Sequence, residues 1–202
     1  MIAVRRIAVS FLACPLVLLA AACSDPLSPS LADPDASLLA GASNVREVTV
    51  PFKSHFFTDQ MSLVPDPVCG APPRLFNVQE GIGEATHLGR FSIRITFCID
   101  ATDLLDDGQL TEGESAPYDG GVGVLTAANG DELYITIAGA VVPSDHPDFD
   151  FEFDDPYAIT GGTGRFAGAT GSGTSNSFVS RAVQPTRTTH NWTGSLTFMP
   201  GR

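Results

Sequence analysis

The chain has 202 residues, a formal net charge of −12 and a single lysine, Lys53. So acidic a chain is repelled by nucleic acid and by anionic lipid, which excludes both as electrostatic partners. Its 43% hydrophobic content supports one domain with a core.

Arg5 and Arg6 precede the apolar run Phe11 to Ala22, which closes on small residues and Cys23. A charged start, a short apolar core and a small-residue end predict a secretory signal over 1–22. The run is shorter than the roughly 18–20 residues a membrane span requires. A cysteine after small residues resembles a bacterial lipobox, although Ala20 stands where Leu is more usual. The resemblance implies lipidation of Cys23 and a chain tethered to a bacterial membrane. Ser24 after it points to the outer membrane rather than the inner one. Two acyl chains suffice for stable anchoring. Residues 23–44, rich in Pro, Ser, Ala and Asp, carry no apolar period and read as a flexible tether. The domain is then expected over 45–202.

Past the tether, apolar residues recur with period two. Phe91, Ile93, Ile95, Phe97 and Ile99 share one face, and Arg90, Ser92, Arg94, Thr96 and Cys98 the other. Leu133, Ile135 and Ile137, then Phe149, Phe151 and Phe153, then Trp192, Leu196 and Phe198 alternate in the same way. This is the pattern of antiparallel strands with one buried face. Strands are expected near 46–53, 55–63, 74–80, 84–100, 120–128, 131–142, 149–160, 164–182 and 189–199. Asp107-Gly108, Asn129-Gly130, Asp155-Pro156 and Gly161-Gly162 read as turns. The fold class is all-β: an antiparallel barrel of about eight strands, with a β-sandwich as the rival. Cys69 and Cys98 are the thiols left after export, and a disulfide between them suits an oxidising compartment.

Six glycines crowd Gly161 to Gly173, in GGTGRFAGATGSG. That density disfavours a helix and suits the sharp bends that close a sheet. The run lacks the Lys-Ser/Thr ending of a phosphate loop, and no cofactor is expected. Together with GEATHLGRFS at 83–92, it resembles the bacterial relatives of the allene oxide cyclase and dirigent β-barrels, over roughly 45–199. The resemblance implies an eight-stranded antiparallel barrel around an apolar cavity. The plant cyclases isomerise a fatty-acid epoxide, and dirigent proteins steer radical coupling of phenols. Neither family's active-site residues map onto this chain one by one, and fold analogy alone licenses neither activity.

Residues that could carry chemistry are few. His87 shares parity with Phe91, and His190 with Trp192, so both imidazoles are expected on the apolar side as ligand-orienting or basic groups. Gly89 marks a possible bulge that would reverse the parity of His87. Arg90 and Arg165 are candidates to hold a carboxylate, against simple pairing with the many acids. Asp103, Asp107 and Glu114 partly match the spacing of a calcium loop, but Leu105 stands where an oxygen ligand belongs. Three classes of function follow: a barrel binding a small apolar ligand, a structural lipoprotein with a filled barrel, or an isomerase-like enzyme. An apolar cavity above roughly 300 Å³ separates the first and third from the second.

Overall fold

The computed structural model describes residues 46–200. The predicted signal 1–22, the lipidation residue Cys23, the tether 23–44 and the ends of the predicted domain at 45, 201 and 202 lie outside the described residues. Eight strands run in chain order: β1 (Val48–Val64), β2 (Arg74–Ala85), β3 (Gly89–Asp100), β4 (Ala116–Ala127), β5 (Glu132–Pro143), β6 (Phe151–Gly162), β7 (Thr170–Ser180) and β8 (Arg187–Phe198). Each is antiparallel to its neighbour, and the order closes on itself. Closure is the pairing of β1 with β8, from Val48 opposite Phe198 to Asp59 opposite Arg187. A sandwich would leave those strands apart, so the barrel expectation holds and the sandwich does not.

Alternation builds this architecture directly. Phe91, Ile93, Ile95, Phe97 and Ile99 are buried inside, while Arg90, Ser92 and Arg94 face water. Phe52, Phe56, Leu133, Ile135, Ile137, Tyr157, Ile159, Trp192 and Leu196 complete the interior. Apolar side chains inside and charged ones outside reverse the polarity of a barrel that spans a membrane. Cys69 and Cys98 are bridged, with Cα atoms 5.4 Å apart, as expected. The bridge pins the β1–β2 connection to the outer face of β3.

Several details differ from the sequence reading. The segment expected as one strand at 84–100 is cut by the turn 86–88 into the end of β2 and the whole of β3. Gly161-Gly162 is not a turn but pairs with Tyr134 and Leu133 at the end of β6. The two segments expected at 46–53 and 55–63 are one long strand, because Ser54 faces inward as part of the same alternation. The glycine run is not the start of a strand from 164. It holds a 3-10 turn, Gly164–Phe166, with Gly164 and Gly168 at positive φ, and β7 begins at Thr170. Asp155-Pro156 is not a turn but lies within β6. There the β5–β6 register runs from Ile137 opposite Tyr157 to Val142 opposite Glu152, with the residues between left unpaired. A proline inside a strand is tolerated at such a break.

The two ends of the barrel are unlike. At one end the strands are joined by 86–88, 128–131 and 163–169. Leu88 and Phe166 fold inward there and stop the barrel. At the other end the connections 65–73, 101–115, 144–150 and 181–186 surround a mouth.

Candidate functional site

The open half of the barrel holds a cavity of about 350 Å³. Ile95, Phe97 and Ile99 of β3, Ile137 and Val141 of β5 and Phe151 and Phe153 of β6 form an apolar wall. Leu104 and Leu105, from the β3–β4 connection, lean over the mouth. His190 and Trp192 form the floor, backed by Phe56 and Tyr157. Phe56 stacks on the His190 ring with centroids 4.3 Å apart, Trp192 meets Phe56 edge-on at 5.0 Å, and Tyr157 stacks on Trp192 at 4.9 Å. Such pairs add about 0.5–1.5 kcal/mol each beyond area burial. Missing side chains let this layer form: a Cβ on Gly173 or Gly194 would lie 2.5 Å or 2.7 Å from the Tyr157 hydroxyl.

Opposite the apolar wall, β1, β2, β7 and β8 present buried polar residues: Ser54, Thr58, Asn77, Gln79, Ser175, Ser177, Thr188 and His190. Four of them form one chain. Thr58 Oγ1 donates to Gln79 Oε1 at 2.8 Å, so it accepts from His190 Nε2 at 3.0 Å. His190 therefore carries its proton on Nε2, and Nδ1 accepts from the Ser177 hydroxyl at 2.9 Å. Burial, with a smaller contribution from the charge of His55, pushes the His190 pKa down to about 3. The ring is neutral and both nitrogens are engaged.

A second polar pair crosses the apolar wall. The Tyr118 hydroxyl donates to Asp155 Oδ2 at 2.8 Å, and the Ala140 amide points at Asp155 Oδ1 at 3.4 Å. The carboxylate occupies the space above Gly139, where a Cβ would lie 1.9 Å from it. Desolvation raises the Asp155 pKa against these hydrogen bonds, and burial beside that carboxylate raises the Tyr118 pKa strongly.

At the rim, Arg181 ties the β3–β4 connection to the β5–β6 connection. Its Nη1 donates to Gly108 O, and its Nη2 to Gln109 Oε1 at 2.6 Å and Asp150 Oδ1 at 3.2 Å. The guanidinium lies 4.6 Å over the Phe151 ring.

The candidates named from sequence separate accordingly. His190 lines the cavity, and His87 does not. His87 has φ 65° in the tight β2–β3 turn, and its ring lies outside near Phe198. That turn shifts the parity, so Leu88 points inward instead. Arg90 is exposed on the outer wall. Arg165 sits at the closed end, 3.3 Å from Asp131 and over the Phe166 ring. Neither arginine lines this cavity. Asp103, Asp107 and Glu114 each accept from a backbone amide of their own connection, those of Ser115, Gln109 and Thr111. Among the described residues no three His, Cys, Asp or Glu side chains converge to hold a metal. Thr58, Asn77, Gln79, Ser177, Tyr118, Asp155 and Arg181 were not singled out by sequence. Counting parity outward from Phe56 or His190 would have placed Thr58 and Thr188 inside.

No protein-family model matches the sequence, and no curated protein matches it. The chain is similar to a solved structure of a pterocarpan synthase dirigent protein, at 14% identity over 77% of this chain and 88% of that one, with a TM-score of 0.43.

Proposed function

We propose that the protein is an exported, membrane-tethered lipoprotein whose barrel binds a small apolar ligand. The observation that carries the binding reading is the cavity of about 350 Å³, apolar on one wall and reached through a mouth of longer connections. It lies within the range of ligand sites and has the composition they favour, mostly apolar with a few placed polar groups. Binding is favoured over catalysis because the one histidine in the cavity has both nitrogens engaged and is held neutral by burial. The tether rests on the run from Arg5 to Cys23.

Mass spectrometry of the protein purified under native conditions tests the binding reading. A small apolar molecule released on unfolding supports it. An empty barrel that takes up no apolar dye defeats it. For the tether, Cys23→Ser should release the protein from the membrane fraction. Retention of that variant on membranes, with an unlipidated wild-type N-terminal peptide, defeats the anchor.

A further inference from the structure

We infer that the ligand of this cavity carries an uncharged hydrogen-bonding head group, held at depth by Asn77 and Gln79, and that carboxylates and ammonium ions are rejected. The inference rests on the binding reading above and specifies its chemistry.

Asn77 and Gln79 are two residues apart on β2, so both point inward, and both line the cavity. Gln79 gives its carbonyl oxygen to Thr58, which leaves its amide nitrogen as the free donor of the His190 chain. Asn77 is 4% exposed, and its Oδ1 has no partner among the described residues. A buried amide without partners is costly, and interiors rarely keep one unless a ligand or water satisfies it. Its last torsion is soft, so it can present either oxygen or nitrogen to a guest. Two amides side by side therefore match a ketone, ester, alcohol or amide.

They do not match an ion. His190 is neutral and its ring nitrogens are taken. The cation that lines the cavity, Arg181, has its charge paired with Asp150 and both terminal nitrogens bonded, which leaves only its buried Nε without a partner among the described residues. An anion driven to depth would lose its water and gain no positive partner, which is the expensive way to bury a charge. Asp155, behind Tyr118, adds a repulsive negative charge for anions. An ammonium would be drawn by that carboxylate, but the Tyr118 hydroxyl and the Ala140 amide already occupy it.

The test uses the full chain carrying Cys23→Ser, the variant expected to leave the membrane, purified without detergent and loaded with a neutral environment-sensitive dye. Straight-chain ketone, alcohol, carboxylate and amine of one carbon number compete for the dye. The ketone and alcohol should displace it at concentrations at least about tenfold lower than the carboxylate or amine, the effect of one buried hydrogen bond plus one avoided buried charge. Asn77→Leu and Gln79→Leu should each shrink that gap, with displacement by the plain alkane serving as each variant's own reference. If one variant fails to fold, the wild-type series and the other variant decide. Equal displacement by all four head groups, or tighter binding of the carboxylate, overturns the inference and leaves the apolar-binding reading standing. Displacement by none of them, the alkane included, overturns both.

Discussion

The two halves of this barrel share eight strands and one ladder, yet one is filled and the other is not. In the closed half, Phe52, Phe166, Leu125, Leu133 and Leu196 are fully buried. Short connections draw the strand ends together, and Leu88 and Phe166 close the end. In the open half the same strands carry Asn77, Thr188, Val141 and Val179 inward, and nothing meets at the axis. The same strands run through both halves, with one gap in backbone pairing, between β5 and β6 in the open half. The halves differ further in side-chain volume and connection length. Stability is therefore concentrated at one end, which leaves the other free to host a guest.

The largest test of that contrast is truncation on either side. Phe52→Ala or Phe166→Ala should cost about 3–5 kcal/mol in denaturant unfolding, the usual range for emptying a packed aromatic site. Val179→Ala, in the open half, should cost under about 1.5 kcal/mol, because its neighbours already border space. Equal losses would show that the halves are packed alike.

Reduction of the Cys69–Cys98 bridge comes next. The cysteines are 29 residues apart in sequence. On the chain-entropy model the link is worth roughly 3.5 kcal/mol, and Cys98→Ala should lower stability by about that much. Because the bridge lies at the open end, loss of stability should come with weaker dye uptake. Unchanged uptake would mean that the mouth is held by its other contacts.

Added volume separates the halves in the opposite direction. Gly173→Val should destabilise by about 1–3 kcal/mol, since its side chain meets the Tyr157 ring and the Thr193 carbonyl. Val141→Phe extends into the cavity and should change stability by less than about 1.5 kcal/mol while blocking ligand uptake. A Val141→Phe variant that still binds dye normally would move the site elsewhere.

Per pH unit, the effect of acid is the smallest of these. The His190 pKa is about 3 in the folded protein, against about 6.5 for a free imidazole. Between those values the unfolded chain binds a proton that the folded one does not, so stability rises with pH across that window. The wild type should lose up to about 1.4 kcal/mol per pH unit on acidification below pH 6.5 from this group. In His190→Gln that contribution should vanish above the range where carboxylates titrate. Parallel slopes in the two proteins would show that burial does not hold the ring neutral.

The strands themselves were readable because Phe91 to Ile99 and Leu133 to Ile137 place large side chains at every second residue. The polar wall was not. Ser and Thr satisfy either face of a strand, so Ser175 and Ser177 gave no sign of being interior, and Thr58 and Thr188 gave none beyond their parity with Phe56 and His190. Two histidines with equal parity arguments met different fates. His190 lies inside an uninterrupted strand, whereas His87 lies in a turn that reverses the count at Gly89. Asp155-Pro156 looked like punctuation because the pair is common in turns. Its position is explained only by the interrupted register opposite Gly139, which a linear pattern does not display.

That interruption has a mechanical consequence. From 138 to 141 and from 153 to 156 the wall is held by a carboxylate, a phenol and one amide rather than by rungs of backbone hydrogen bonds. Val141 and Phe153, which line the cavity, both lie along this stretch. It is a seam in an otherwise continuous hoop. Amides along it should exchange with deuterium before those of β1 and β8, where twelve residues pair without a gap. A closed barrel usually must break a strand pairing to let its wall give. Here the seam is bridged by the two bonds to Asp155, from Tyr118 and Ala140, so the wall should give there before the ladder that holds the fold does.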